Sequence, residues 1–99
     1  MTITKTVNGT ALKIDLEGRL DTTTAPELEA ELAASLDGIT ALELDFSALE
    51  YISSAGLRVL LGAQKRMNAQ GSMKVTHVNA DIMEVFEITG FCDILTVEQ

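Results

Sequence analysis

Between Leu42 and Leu61 the chain changes its hydrophobic period with almost no room for a linker. Leu42, Leu44 and Phe46 alternate with Glu43 and Asp45, the period of two that belongs to a half-buried strand. Further on, Leu57, Leu60, Leu61 and Met67 recur at helical spacing. A strand feeding so directly into a helix needs a layered fold, a sheet with helices packed on it, because each element must cover the other's apolar face. The stretch between them, Leu49-Glu50-Tyr51-Ile52-Ser53-Ser54-Ala55-Gly56, puts two serine hydroxyls at the corner. There the free N–H groups of a first helical turn and the macrodipole favour added negative charge. That placement suits a phosphoacceptor. It also suits an ordinary helix cap, for which serine is worth about 1 kcal/mol over alanine. Ser54 is followed three residues later by Leu57 rather than Glu, so a cap there is unassisted. Gly56 in a first turn costs roughly 0.5–1 kcal/mol relative to alanine and leaves space for the close approach of another backbone or a ligand. Arg58, one turn after Ser54, can reach a phosphoryl oxygen or lie in solvent.

The flanks extend the layered pattern. Thr2 to Val7 alternates, Asn8-Gly9 marks a hairpin turn, and Ala11 to Glu17 alternates again with Leu12, Ile14 and Leu16 on one face. Thr24 with Glu27 forms a capping-box pattern and Pro26 suits a first turn. Ala25, Leu28, Leu32 and Leu36 share one helical face, the glutamates form its solvated side, and Asp37-Gly38 closes the helix. The third strand is read over Ile39 to Phe46. The second helix runs from the serine corner to about Gln70, with Lys65 and Arg66 near its C-terminus and Gly71 suited to end it. Met73 to Val78 is a fourth strand. Asn79 or Asp81 caps a third helix with Ile82, Val85 and Phe86 inward, Gly90 ends it, and Ile94, Leu95 and Val97 form a short last strand or a docked tail. Met67, Met73 and Met83 fall on core faces. The expected fold is α/β, one domain over residues 1–99. Its mixed sheet has four to five strands, with helices packed on it in the order β-β-α-β-α-β-α-β, an antiparallel opening hairpin, parallel crossovers and one partly open face.

Composition narrows function. Of 99 residues, 46% are hydrophobic and one is proline, enough apolar material for a core. A net charge of −8 argues against binding nucleic acid or an anionic membrane through a basic face. Cys92 is the only cysteine, so no internal disulfide forms, which fits the cytoplasm. No signal peptide or membrane span is expected, and a monomer is expected. His77 is the single histidine, read as a strand-end surface residue, and Cys92 is read as a small apolar filler. One His and one Cys cannot build a typical zinc site without carboxylates from elsewhere. A Gly-x-Ser-x-Gly elbow and a phosphate-binding glycine loop with a following Lys are both absent. No catalysis and no cofactor are therefore expected.

Four pieces, in order and at matching length, resemble the STAS domains of bacterial anti-sigma factor antagonists. These are Gly18-Arg19-Leu20-Asp21, the Thr-rich residues and Leu/Glu helix after it, Leu44 to Leu57 as third strand and phosphorylation loop, and Glu87-Ile88-Thr89-Gly90-Phe91. The resemblance covers almost the whole chain. The family loop is commonly Asp-Ser-Ser/Thr-Gly-Leu with the phosphoacceptor directly after the Asp. Aligned on Gly56-Leu57, Ser54 takes the acceptor position, Ser53 stands where the Asp is usual, and Ala55 replaces the second hydroxyl. Asp21 matches an acidic residue on the neighbouring loop. The resemblance implies a partner switch. The unphosphorylated protein binds an anti-sigma factor that is also an ATP-dependent serine kinase and frees a sigma factor. Phosphorylation at Ser54 (alternatively Ser53) breaks the complex, and a metal-dependent Ser/Thr phosphatase restores it. Asp21, Ser53, Ala55, Gly56 and Arg58 are the expected partner-binding residues. The alternative is a STAS scaffold module that is never phosphorylated and assembles with sensor proteins or a membrane transport complex.

Overall fold

A computed structural model describes residues 1–99. Its elements are β1 (Thr2–Asn8), β2 (Ala11–Leu20), α1 (Ala25–Ser35), β3 (Ala41–Ile52), α2 (Ser54–Gln70), β4 (Ser72–Thr76) and α3 (Ala80–Thr89), followed by a 3₁₀ turn at Phe91–Asp93. The four strands lie in the order β1-β2-β3-β4. β1 and β2 form the antiparallel hairpin that Asn8-Gly9 announces, while β2–β3 and β3–β4 are parallel, as helical crossovers require. The last strand of the sequence pattern shrinks to a docked tail: Val97 makes a single parallel bridge to Val75, and Val75 and Glu98 exchange backbone hydrogen bonds with the tail and strand around it.

The three helices cover one face of the sheet. Leu12, Ile14, Leu16 and Leu20 of β2 and Leu42, Leu44, Leu49 and Ile52 of β3 are buried in a single core with Leu28, Leu32, Leu60, Met67, Ile82 and Phe86 from the helices. Phe46 and Phe86 meet as a tilted pair with ring centroids 6.5 Å apart. The opposite face is open and polar. Lys13 and Asp15 of β2, Glu43 and Asp45 of β3, and Lys74 and Thr76 of β4 stand there side by side in register. No helix is long and apolar enough to cross a membrane.

β3 is six residues longer than its alternation suggests, running to Ile52 rather than ending at Phe46. Along β2 the chain advances from Asp15 to Glu17 while β3 advances from Asp45 to Ala48; a second slip pairs Gly18 with Leu49 but Arg19 with Tyr51. Each slip inserts an extra residue into β3, an uncommon feature of a parallel pair. The buried residues become Phe46, Leu49 and Ile52, three apart, so the strand loses its period of two. Gly18 accommodates the slip at φ +103°.

Several local expectations shift. The Thr24–Glu27 capping box does not form: Thr24 has helical dihedrals and its hydroxyl turns back to donate to the Arg19 carbonyl at 2.8 Å. Lys65 and Arg66 are not in the last turn of α2; Arg66 instead reaches Asp37 beyond α1, with Nη2 2.6 Å from Oδ1. Val85 and Leu61 are half-buried rather than core. Cys92 is not a filler but lies exposed on the 3₁₀ turn, because the tail there packs through Leu95 instead.

Gly71 ends α2 where the backbone passes under Thr40: a Cβ at this position would lie 1.9 Å from the Thr40 carbonyl oxygen, itself bonded to Ser72 N. Gly71→Ala is expected to destabilise the protein by about 1–3 kcal/mol through forced backbone displacement. Gly62, in the interior of α2 with nothing near its missing Cβ, should show the opposite sign, Gly62→Ala stabilising by about 0.5–1 kcal/mol. Urea unfolding of both variants checks the pair.

Candidate functional site

β3 passes into α2 through one residue. Ser53 is extended, at φ −97° and ψ 174°, and serves as the N-cap: its Oγ accepts from Gly56 N at 3.3 Å and its carbonyl accepts from Leu57 N at 3.0 Å. Its own N–H donates to the Leu20 carbonyl at 2.9 Å, which ties the corner to the end of β2. Ser54 is the first helical residue and is exposed. The two serines, equivalent in the sequence, thus divide: Ser53 holds the helix start and Ser54 presents its hydroxyl to solvent, beside the unpaired N–H groups of the first turn.

Gly56 faces inward, which corrects its expected place on the contact surface. It is buried, and a Cβ there would come within 2.8 Å of Leu20 Cγ and 2.9 Å of Ile52 Cγ1. The missing side chain lets the helix start seat on the ends of β2 and β3; it leaves no opening for a partner. Ala55 is half-buried, and Arg58 is exposed one turn along from Ser54.

Asp21 shapes the neighbouring turn. Its Oδ1 accepts from Thr23 N at 3.0 Å, Thr24 N at 3.1 Å and Thr23 Oγ1 at 2.8 Å, while its carbonyl accepts from Ala25 N at 2.8 Å. It therefore shapes the turn that leads into α1, which itself begins without a side-chain cap. The hydrogen bond from the Thr23 hydroxyl, followed by that from the Thr24 N–H, holds the Asp21 carboxyl below the usual carboxylate range. Leu20 links this turn to the serine corner, so Asp21 and Ser53 lie on adjacent loops at one end of the sheet.

The sequence did not single out Arg19 and Tyr51. The second slip of β3 sets them opposite each other, and the Arg19 guanidinium lies over the Tyr51 ring at 4.3 Å from its centroid, with Nε 3.9 Å from Asp21 Oδ2. Tyr51 is 41% exposed, so an aromatic–guanidinium platform borders the corner. Plain alternation would not pair these residues; only the inserted residue does. His77 lies away from the corner, just beyond β4, with Nδ1 3.2 Å from Asp45 Oδ2.

The family model described as "Mlab, STAS domain" matches residues 3–96. BtrV of Bordetella bronchiseptica, named as an anti-sigma factor antagonist, is 44% identical over 84 residues, covering 83% of this chain and 72% of that protein. The crystal structure of an anti-sigma factor antagonist from Mycobacterium paratuberculosis superposes with a TM-score of 0.87 at 23% identity, over 98% of this chain and 84% of that one. The Bacillus cell fate determinant SpoIIAA in its phosphorylated form superposes with a TM-score of 0.76 at 19% identity, over 99% and 92%. The two structural matches show the same fold.

The division of labour at the corner has a measurable consequence. Ser53→Ala should destabilise by about 1 kcal/mol through the lost cap, whereas Ser54→Ala should stay within about 0.5 kcal/mol of the parent. Chemical denaturation that ranks the two equally would contradict the assignment. Asp21 contributes a pH dependence. Its folded pKa lies below the ordinary 3.8, so its stabilisation is complete above that value and is lost as the pH falls through the folded value. Asp21→Ala should therefore melt below the parent at pH 7, with the gap narrowing as the pH falls below 3.8.

Proposed function

We propose that this chain, which belongs to the STAS-domain family of anti-sigma factor antagonists, is a partner switch operated at Ser54. Unphosphorylated, it binds an anti-sigma factor that is also an ATP-dependent serine kinase and so frees a sigma factor. Phosphorylation of Ser54 ends that complex, and a metal-dependent Ser/Thr phosphatase renews it. The protein acts as a monomer in the cytoplasm, and ATP is bound by the kinase.

The observation that carries this reading is the exposed hydroxyl of Ser54 in the first turn of α2, with Ser53 already committed to the cap. A phosphoserine carries about −1.5 to −2 charges. In the free protein the helix N-terminus stabilises them. Against a docked partner the same dianion is bulky and displaces desolvated contacts. A difference of about 3 kcal/mol between the two forms changes affinity more than a hundredfold. Phosphate on Ser53 would instead disrupt the cap that holds the helix start, which makes Ser54 the better acceptor. The partner contacts the corner through Ser54, the exposed edge of Ser53 and Ala55, the Asp21 turn and Arg58. Gly56 contributes from beneath by fixing the corner's position. That SpoIIAA has been solved in a phosphorylated form supports the compatibility of this fold with such a group.

A second reading rests on Ser53, which stands where the family loop usually carries Asp and so leaves no carboxylate beside the acceptor. In that case the same face serves a scaffold that is never phosphorylated, joining sensor proteins or a membrane transport complex. Intact mass with site mapping separates the two, on protein from its native cell and on protein incubated with ATP and the cognate kinase. A single phosphate on Ser54, with loss of partner binding, is the expected result. Unmodified protein that still binds its partner would establish the scaffold. For the contact surface, Arg58→Glu is expected to weaken partner binding at least about tenfold and more than Glu29→Lys does; equal effects in calorimetry would remove α2 from the interface.

A further inference from the structure

On the open face of the sheet, away from the serine corner, we propose that Glu43, Asp45 and His77 form a binding site for a zinc-class divalent transition-metal ion. One ligand atom from each of the three lies within 4.8 Å of the others. His77 Nδ1 and Asp45 Oδ2 are 3.2 Å apart, close to the separation of about 3.3 Å between two ligand atoms of a tetrahedral zinc ion bound at 2.0–2.2 Å. The sequence alone disfavours a zinc site because one histidine and one cysteine need carboxylates from elsewhere. The parallel pairing of β3 with β4 supplies them, bringing Glu43 and Asp45 beside the end of β4.

The two carboxylates are oriented before any ion arrives. Asp45 is 6% exposed at its side chain, and its Oδ1 accepts from Ser47 N at 2.9 Å, which leaves Oδ2 turned toward His77. Glu43 Oε2 accepts from Thr76 Oγ1 at 2.8 Å. Outer partners of this kind fix ligand geometry at metal sites. Lysines at present supply the positive charge. Lys13 Nζ is 3.3 Å from Asp45 Oδ2, and Lys74 Nζ is 4.0 Å from Glu43 Oε1. Both lysine side chains are nearly half exposed and can swing into solvent. Three protein ligands then leave a fourth position for water, and the imidazole favours zinc-like ions over magnesium or calcium.

Titration of the untagged full chain with zinc chloride tests the site, with Cys92→Ser as the parent so that the exposed thiol does not compete. His77 is the only histidine, so its ring resonances report on the site directly. The expected result is one equivalent of zinc bound, a shift of those resonances, and a zinc-dependent rise in melting temperature. His77→Asn is the matched variant, since His77 has φ +56° and asparagine tolerates that left-handed backbone. It and Glu43→Gln should each weaken binding at least about tenfold, with unchanged circular dichroism. The proposal is overturned by ring resonances that do not move, by variants that bind zinc as tightly as the parent, or by magnesium chloride competing equally well.

Discussion

The pairing of β2 with β3 sets the position of every feature described above. It is parallel, so both strands end at the same edge of the sheet, and two residues inserted into β3 carry that edge round to the helix that follows. The hydrogen bond from Ser53 N to the Leu20 carbonyl closes the edge. Below it, Gly56 rests against Leu20 and Ile52 without a side chain. The start of α2 is therefore held by the sheet itself, and Ser54 occupies a rigid point rather than a mobile loop. Under the proposed switch, a covalent charge added there would act on a fixed surface.

The two faces of the sheet do different work. The helix-covered face is a continuous aliphatic core with one aromatic pair, and it supplies the hydrophobic stabilisation. The open face carries its charges in register across three strands, so Lys13, Asp45, Glu43 and Lys74 neutralise one another in pairs. Asp45 is the exception in burial, and Lys13 and His77 both stand against it. The corner lies at the edge between these faces, bordered by the Arg19–Tyr51 platform and by the Asp21 turn.

Much of the fold is legible where local chemistry and packing agree. Asn8-Gly9, Gly71 and Gly90 mark boundaries because few other residues fit those backbone or contact requirements, and Asn79 caps α3 through Ile82 N at 2.8 Å. Legibility fails where a distant contact overrules a local rule. The Thr24 hydroxyl is drawn away from its capping box by the Arg19 carbonyl, and α1 begins without a side-chain cap. The end of β3 is hidden because the inserted residues replace a period of two with a spacing of three. At the candidate site the sequence supplies Ser53, Ser54, Asp21 and Arg58 as neighbours along the chain or by family likeness. It does not indicate that Arg19 stacks on Tyr51 or that Gly56 faces inward.

By itself the sequence determined the layered α/β class, the order of elements and the serine corner, because hydrophobic period, turn chemistry and helix stops are local properties of the chain. The tertiary structure alone decided which serine caps and which is presented, because that choice depends on where the Leu20 carbonyl holds Ser53. It also decided that His77 meets Asp45 and Glu43 across strands, since parallel pairing joins residues about thirty positions apart. Side chains distant in the chain acquire a shared chemistry only when the sheet fixes their register.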